Sequence, residues 1–497
     1  MTISPKVQVT ISILFIIITT FIAFSPSLRH TFIGMDDISY IIRNDFIKQL
    51  SFESIKNIFT NDYVGNYHPL TMLTYAWEYN FFGLNPGVYH ATNVMLHLLN
   101  CITVFWIILI ISKNISTATL TALLFSLHPL RVESVAWISE RKDVLYSLFF
   151  LCSLVSYLYY VNSKSKRYLY YSFFLFFFSI LSKVTAVIFP LFLYMFDYLL
   201  NRKFDKKLLI EKVPFLLIAL IFGTIGIICQ KEFGAINVAG AYPLQYRISL
   251  VFYSLGSYLY KIFLPVRLSA LCPYPQANAS FYGISLLSIA LVSSLVFMAF
   301  YLRRVNRKIV FGTLFFFLGI LPGLQIIPAG IAFMADRYTY IPSIGIFYII
   351  SEACHSIYNM RFKYQAVAKS ALIIILISII AAMSFLTYNR TSVWKDNFSL
   401  LDNILKRYPR FRDVYMIRGR LYVQKDEVDK AISDFNRVIE IDPNCAPAYY
   451  NRAVMYFCKR QFDRSWEDIH KAEACGYRPD KDDKVLNALK RMSGRER

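Results

Sequence analysis

The chain has 497 residues, of which 56% are hydrophobic and 17% aromatic, and its formal net charge is +21. This hydrophobic content exceeds the needs of a soluble domain, so the composition predicts a helical membrane protein with several spans. The charge does not indicate nucleic-acid binding. Much of it lies in short loops between apolar runs, which is the positive-inside pattern, and these loops are 163–167, 201–207, 303–308 and 361–363.

The first apolar run, 7–24, is interpreted as a retained transmembrane helix because no small-residue cleavage site follows it. Hydropathy predicts about eleven spans. They lie at 7–24, 92–112, 115–128, 144–161, 168–182, 184–200, 213–230, 282–302, 309–328, 340–356 and 369–387. Segment 246–264 is apolar enough to be another span. The Lys and Arg distribution instead favours an amphipathic helix in the outer interface, with Arg247 and Lys261 at its ends.

With a cytoplasmic N-terminus, these spans collect the polar loops on the outer face of the membrane. The predicted outer loops are 25–91, 129–143, 231–281 and 329–339, and the chain after about 388 also lies outside. The sequence therefore predicts a transmembrane domain over 1–390 and an outer C-terminal domain over 391–497.

The C-terminal part repeats at a period of 34 residues, since Tyr415 recurs as Tyr449 and Gly419 as Ala453. Together with Phe435, this spacing predicts two tetratricopeptide (TPR) helix pairs and a capping helix at about 480–492. Peptide binding and a packed spacer are equally compatible with such a short solenoid.

The eight cysteines are scattered without metal-ligand spacing. Cys458 and Cys475 fall on neighbouring predicted helices, and both a disulfide and two free thiols fit that placement.

Two adjacent carboxylates, Asp36 and Asp37, stand at the start of the first outer loop. One interpretation is a helix N-cap before the apolar sequence ISYII. The other is a general base at the membrane surface, where a low dielectric raises a carboxyl pKa and suits it to accept a proton from a hydroxyl.

Other outer segments carry residues suited to phosphate and sugar binding. The hairpin 127–144 is dense in charge, and charges this close to hydrocarbon are expected to be paired or functional. Lys183 lies alone between apolar runs and needs an anionic partner, and Arg337 offers a fork that matches phosphate. Interface anchoring, or ion pairing within the protein, is the alternative. The remaining candidates are Tyr338, Arg141 and Lys142 for the donor, and His68, Glu78, His128, Glu133, Glu140 and Asp336 for acceptor or sugar contacts.

Several segments resemble the GT-C membrane glycosyltransferases that end in tetratricopeptide repeats, the bacterial relatives of the TMTC O-mannosyltransferases. They are MDDISYIIRN, YHPLTMLTYAWEYNFFG, LHPLRVESVAWISERKDVL, LSKVTAVIFP and MADRYTYIP. The resemblance implies a polyprenyl-phosphate sugar donor and transfer on the periplasmic face. It places Asp36 and Asp37 where protein O-mannosyltransferases have an Asp-Glu pair, and Arg337 and Tyr338 near the lipid phosphate.

We therefore predict an all-α polytopic GT-C-like membrane protein of the bacterial inner membrane with a small periplasmic TPR solenoid. The predicted function is inverting glycosyl transfer, with Ser or Thr of an exported protein as acceptor. Open alternatives are a glycan or lipid acceptor, and a non-catalytic membrane scaffold. No cofactor is specified, a divalent metal is left open, and the expected partners are the lipid-linked donor, the acceptor and membrane lipid.

Overall fold

The computed structural model describes residues 4–236, 242–304, 306–326, 330–361, 363–478 and 487–488. Within these ranges the chain is helical and forms no β-strand, since its extended pairings are two isolated bridges, Tyr63–Asn66 and Cys272–Met334. The predicted all-α class is confirmed. The chain divides into two compact units, Met1–Asn397 and Phe398–Arg497.

The first unit is built from long apolar helices joined by short 3₁₀ turns. Its α-helices are α1 (Pro5–Phe24), α2 (Phe52–Thr60), α3 (Pro69–Phe82), α4 (Pro86–Ser112), α5 (Ile115–Ser126), α6 (Val132–Ala136), α7 (Arg141–Ser163), α8 (Lys166–Ser182), α9 (Phe189–Leu199), α10 (Lys206–Glu232), α11 (Leu244–Phe263), α12 (Ala279–Leu302), α13 (Arg307–Ile320), α14 (Ser343–Asn359) and α15 (Gln365–Thr391).

Capping residues in the sequence explain where many of these helices begin. A Ser, Asn or Asp before the first turn accepts a hydrogen bond from a backbone N–H two or three residues on, which satisfies an otherwise unpaired donor. These caps are Ser4, Asn85, Asn114, Asp205 and Asn278. Helices α4 and α7 end at Lys113 and Lys164, which adopt left-handed φ angles of 55° and 57°.

Six helical stretches in the described chain are long and apolar enough to cross a membrane. They are Pro5–Arg29, Pro86–Ser112, Ile138–Ser163, Lys206–Glu232, Ala279–Leu302 and Gln365–Trp394. The predicted spans 115–128 and 184–200 correspond to the shorter apolar helices Ile115–Ser126 and Val184–Leu199. Helix α13 ends at Ile320, short of the predicted 328, because the 3₁₀ turn Leu321–Gly323 follows it. The chain is a multi-pass membrane protein, and the number of spans stays a prediction.

Helix α11 matches the predicted amphipathic segment. Its inward face buries Leu250 and Tyr258, and its outward face exposes Ile248 and Phe263. Lys261 lies in the last turn of the helix as predicted, and it is buried, with its ammonium donating to Asp336 Oδ1 at 2.7 Å. The ammonium is satisfied inside the protein because α11 packs beside the turn that carries that carboxylate.

The second unit begins one residue into α16 (Asn397–Arg407). It also contains α17 (Arg412–Gln424), α18 (Val428–Ile441), α19 (Ala446–Cys458) and α20 (Phe462–Ala474). The pairs α17–α18 and α19–α20 are the predicted repeats. A Cβ on Gly419 would lie 2.7 Å from the Phe435 ring, and the hydroxyl of Ser465 donates to the Ala453 carbonyl at 2.7 Å. The paired helices therefore approach closely at the small residues. The predicted capping helix at 480–492 lies outside the described residues except at 487–488.

A ladder of buried ion pairs repeats with the same period of 34. Arg418 forms a two-pronged pair with Asp434 at 2.7 and 2.9 Å, and Arg452 forms one with Asp468, at 2.7 Å for both hydrogen bonds. Arg418 also reaches Asp402 of α16, as Arg452 reaches Asn436 of α18. Helix α16 thus stands in the register of the second helix of a preceding repeat, which the sequence analysis missed.

All eight cysteines are free thiols, so the disulfide alternative for Cys458 and Cys475 is not realised.

Candidate active site

Asp36 and Asp37 have different surroundings although they are neighbours in the sequence. Both lie in a helical turn after α1 that continues as a π-helical turn, Ile38–Ile42. The Asp37 side chain is fully buried, whereas that of Asp36 is 29% exposed. The expected capping hydrogen bond is not formed by Asp37, which instead accepts hydrogen bonds from residues outside this turn.

Asp37 joins two parts of the chain. Its carboxylate accepts the Ile33 N–H at 2.7 Å, the Ser139 N–H at 2.9 Å and the Ser139 hydroxyl. Burial raises the pKa of Asp37 to about 6, although these three hydrogen bonds act to lower it. With every partner supplied by the protein, this carboxylate fixes the loop 33–37 against the turn Ile138–Glu140.

Asp36 faces a cluster of alternating charges. Its Oδ2 lies 3.3 Å from Lys142 Nζ, and Lys142 lies 3.2 Å from Glu140 Oε1. Glu140 Oε1 also lies 3.3 Å from Arg337 Nε, and Arg337 donates to Glu133 through Nη1 and, at 3.1 Å, through its backbone N–H. We call this group of side chains the charge cluster. Its members are Asp36, Glu133, Glu140, Lys142, Asp143, Lys183 and Arg337.

Lys183 joins the charge cluster from the turn between α8 and α9. Its ammonium donates to Asp143 Oδ1 and lies 3.7 Å from Glu140 Oε2. Asp143 is held in turn by the Ser134 hydroxyl at 3.2 Å. The predicted partners of Lys183 within the protein are therefore present, and 16% of its side chain remains exposed.

The local cause of this arrangement is the start of α7. Successive residues of an α-helix point about 100° apart. Arg141, Lys142 and Asp143 therefore reach three different neighbours: Glu78, Asp36 and Lys183. Asp143 in the first helical turn is also favoured by the positive end of the helix dipole.

The charge cluster contains four carboxylates and three cations, so it is nearly neutral without a ligand. Some N–H groups of the cations nevertheless have no hydrogen-bond partner in the cluster. Arg337 uses Nη1 and its backbone N–H on Glu133, and its Nη2 has no hydrogen-bond partner among the described residues. Arg337 is 18% exposed at its side chain. Arg337 and Lys183 are therefore paired within the cluster and still partly exposed.

His68 lies beside the charge cluster as a buried acceptor. Its ring centroid is 4.8 Å from that of Tyr40, whose hydroxyl lies 3.5 Å from Lys142 Nζ. Burial, helped by the nearby Lys142, lowers the pKa of His68 to about 3, so the ring is neutral. Nδ1 lies 3.0 Å from the Asn66 carbonyl, which requires the proton on Nδ1, and Nε2 has no partner among the described residues.

Other predicted site residues are engaged elsewhere. Arg141 is fully buried and donates to Glu78 at 2.5 Å, to Asn93 at 2.9 Å and to the Tyr89 carbonyl at 2.9 Å. Arg141 and Glu78 pair with each other in a buried position, and their predicted roles in donor and sugar binding stay predictions.

His128 and Asp336 also have buried partners. His128 Nε2 contacts the Ile262 carbonyl at 3.0 Å, and Asp336 accepts from Lys261. Tyr338 stands beside Arg337, whose guanidinium lies 5.0 Å from its ring centroid. Tyr338 therefore lies next to the charge cluster, whereas His128 and Asp336 are paired with Ile262 and Lys261.

Two residues at the site were missed by the sequence analysis. Tyr40 presents its ring 4.9 Å from Lys142 Nζ, and Ser139 holds Asp37. The spacing of four between Asp36 and Tyr40 is a helical signal that was available. No local signal connects Ser139 with Asp37, because 102 residues separate them.

The described residues contain no group of three or more His, Cys, Asp or Glu side chains arranged to hold a metal ion.

Comparison with known proteins gives relatives along most of the chain. Residues 419–458 match the TPR repeat family model. Protein O-mannosyl-transferase TMTC1 of Homo sapiens is 34% identical over 147 residues, 27% of this chain and 16% of that protein. Protein O-mannosyl-transferase F38B6.6 of Caenorhabditis elegans is 22% identical over 431 residues, 82% of this chain and 60% of that protein. The chain thus spans less than two thirds of the length of the curated relatives it matches.

Among solved structures, the Archaeoglobus fulgidus oligosaccharyltransferase tethered to an acceptor peptide aligns with a TM-score of 0.47 and 11% identity. The alignment covers 86% of this chain and 59% of that one. The resemblance predicted from the sequence, to O-mannosyltransferases that carry TPR repeats, is confirmed by these relatives.

Proposed function

We propose, from its relation to the protein O-mannosyl-transferases, that this chain is a membrane glycosyltransferase whose general base is Asp36. The observation that carries the proposal is the division of labour in the Asp pair. Asp36 is partly exposed and joined to Lys142, whereas Asp37 has every partner supplied by the protein. A base must reach its substrate, and Asp36 is the member of the pair that can.

The donor is proposed to be a sugar linked to a polyprenyl phosphate in the bacterial inner membrane, with transfer on the periplasmic face. Among the cations of the charge cluster, Arg337 and Lys183 have side chains that are 18% and 16% exposed, against 7% for Lys142. They are suited to bind the phosphate and to stabilise the negative charge that develops on it as the sugar departs. Tyr338, which lies beside Arg337, is suited to line the sugar.

The proposed reaction is a single displacement at C1 of the sugar. The acceptor hydroxyl gives its proton to the Asp36 carboxylate as its oxygen bonds to C1. The C1–O bond to the phosphate breaks, and the phosphate keeps the electron pair. Attack from the face opposite the phosphate inverts the configuration at C1.

Lys142 has a supporting role in this scheme. Its ammonium contacts both Asp36 and Glu140, and it is 7% exposed. It orients the Asp36 carboxylate before the acceptor arrives. His68 Nε2, a neutral acceptor nearby, is suited to accept a hydrogen bond from a hydroxyl of the sugar or of the acceptor. The acceptor is proposed to be Ser or Thr of an exported protein, recruited by the TPR unit.

The test uses the full-length protein in lipid nanodiscs with a panel of polyprenyl-phosphate sugars and with exported proteins as acceptors. Asp36→Asn is expected to bind donor normally and to lower kcat at least about 100-fold, the usual contribution of a general base. Asp45→Asn is the matched control, because Asp45 lies in the same outer loop, is 85% exposed and pairs with Lys48 at 2.6 Å. Its activity should equal that of the wild type.

Two results would overturn the proposal. Asp36→Asn with wild-type turnover would remove Asp36 from the mechanism. A wild-type protein that consumes no donor with any acceptor would favour the scaffold alternative. Arg337→Gln and Lys183→Gln should weaken donor binding, and unchanged donor affinity in both variants would place the phosphate elsewhere.

A further inference from the structure

The segment that leaves α15 contacts the loop that carries the Asp pair. The Thr31 backbone N–H donates to the Lys395 carbonyl at 3.1 Å, and the Thr31 hydroxyl donates to the same oxygen at 3.2 Å. The Gly34 N–H donates to the side-chain oxygen of Asn397. These hydrogen bonds bracket Ile33, whose own N–H is held by Asp37.

The contact at Gly34 leaves little free volume. A Cβ on this residue would lie 3.0 Å from both terminal atoms of the Asn397 side chain. A glycine here lets the amide of Asn397 approach the loop backbone directly. Asn397 is the last residue of the first unit and follows directly on the 3₁₀ turn Ser392–Trp394 and the two residues after it.

A second contact links the same segment to the charge cluster. Trp394 is fully buried, and its ring stacks on Trp137 at a centroid distance of 5.4 Å and an interplanar angle of 24°. Trp137 in turn lies 6.0 Å from Lys142 Nζ and 5.7 Å from the Arg337 guanidinium. The segment 394–397 therefore contacts the loop that carries Asp36, and it also contacts Trp137, which lies near Lys142 and Arg337.

We propose that Asn397 and Trp394 are positioning residues that hold the Asp36 loop against the charge cluster. The inference rests on the proposed function. Neither residue touches the reacting groups. Asn397 acts through the Gly34 backbone, and Trp394 acts through Trp137. Their loss should therefore lower the fraction of molecules in which Asp36 is correctly placed, and leave the cations that bind the donor phosphate intact.

The test compares Asn397→Leu with Asn397→Asp in the full-length protein. Leu has a similar size and no acceptor atom, so the Gly34 N–H loses its partner. Asp keeps the acceptor oxygen, and its charge suits the start of α16. Asn389→Leu is the matched control, because Asn389 is exposed in the last turns of α15 and its side chain has no hydrogen-bond partner among the described residues. The readouts are amide hydrogen exchange of residues 31–37, donor affinity and kcat.

Asn397→Leu is expected to speed exchange in residues 31–37 and to lower kcat about tenfold, with donor affinity within twofold of the wild type. Asn397→Asp should restore both properties, and Asn389→Leu should change neither. Exchange equal to the wild type in Asn397→Leu would overturn the inference, as would faster exchange with unchanged kcat. A wild-type protein without transferase activity would defeat the proposed function, and the exchange readout would still decide whether Asn397 holds the loop.

Discussion

Replacing Asp37 tests whether this carboxylate fixes the loop or takes part in the chemistry. Asp37→Ala removes the acceptor for two buried backbone N–H groups, those of Ile33 and Ser139. Each unpaired buried N–H costs about 1–3 kcal/mol. Asp37→Asn keeps one oxygen for Ser139 and leaves one N–H unpaired, so Ala should be less stable than Asn by about 1–3 kcal/mol.

The wild type also carries a cost that both variants remove. The pKa of Asp37 rises from 3.8 to about 6 on burial, which corresponds to about 3 kcal/mol of unfavourable charge burial. This gain offsets the one hydrogen bond lost in Asp37→Asn, which should therefore have nearly wild-type stability. Asp37→Asn is therefore expected near wild-type stability, and Asp37→Ala about 1–3 kcal/mol below Asp37→Asn.

The assay is thermal unfolding in detergent, followed by size-exclusion chromatography with fluorescence detection, alongside donor turnover. Asp37→Asn should remain folded and keep most of its activity, because the Asp37 side chain is fully buried and cannot reach a substrate. Equal stability of Asp37→Asn and Asp37→Ala would refute the view that these hydrogen bonds hold the loop. A stable Asp37→Asn protein without turnover would make Asp37 the base and overturn the assignment to Asp36.

Three further predictions follow from buried contacts. The pKa of Asp37 is higher in the folded state than in the unfolded state, so the native state binds an extra proton between about pH 4 and 6. Wild-type stability should therefore rise relative to Asp37→Asn by roughly 1 kcal/mol from pH 7 to pH 5. Thermal unfolding at both pH values measures this change, and a constant difference between the two proteins contradicts it. Arg141→Met leaves the Glu78 charge buried and should cost about 3–5 kcal/mol, and the added change Glu78→Leu should recover most of the thermal stability; an equally unstable double variant would contradict the pairing. Gly419→Leu drives a side chain into Phe435 and should cost about 3 kcal/mol, seen as faster proteolysis of the repeats, whereas Gly283→Leu, which meets open space, should behave as wild type.

The sequence predicts helices well where the signal is local. The starts of α4 and α5 follow from Asn85 and Asn114, which cap the helices that the apolar pattern requires. The repeat period predicts α17 to α20 because each small residue at 419, 431, 453 and 465 marks a close helix approach. Helix α16 was missed because Asp402 shares a register with Asn436 but the surrounding residues do not repeat.

The sequence predicts a set of candidate residues and does not distinguish their roles. Asp36 and Asp37 are indistinguishable in the sequence, and their roles separate because Ser139, from another helix hairpin, meets one carboxylate and Lys142 meets the other. Likewise, Arg141 and Lys142 are adjacent cations. The helical rotation at the start of α7 directs Arg141 towards Glu78 in the protein core and Lys142 towards Asp36, and the charge pattern alone does not show this.

The register of α16 has a consequence for how this architecture can vary in length. Arg418 meets a carboxylate of α16 in the way that Arg452 meets the amide of α18. Helix α16 therefore presents to α17 the same kind of surface that α18 presents to α19. Insertion or deletion of one 34-residue module preserves the Arg partners at every junction and leaves the segment before α16 untouched. We expect the reach of the solenoid to change stepwise in evolution while the residues around the Asp pair stay constant.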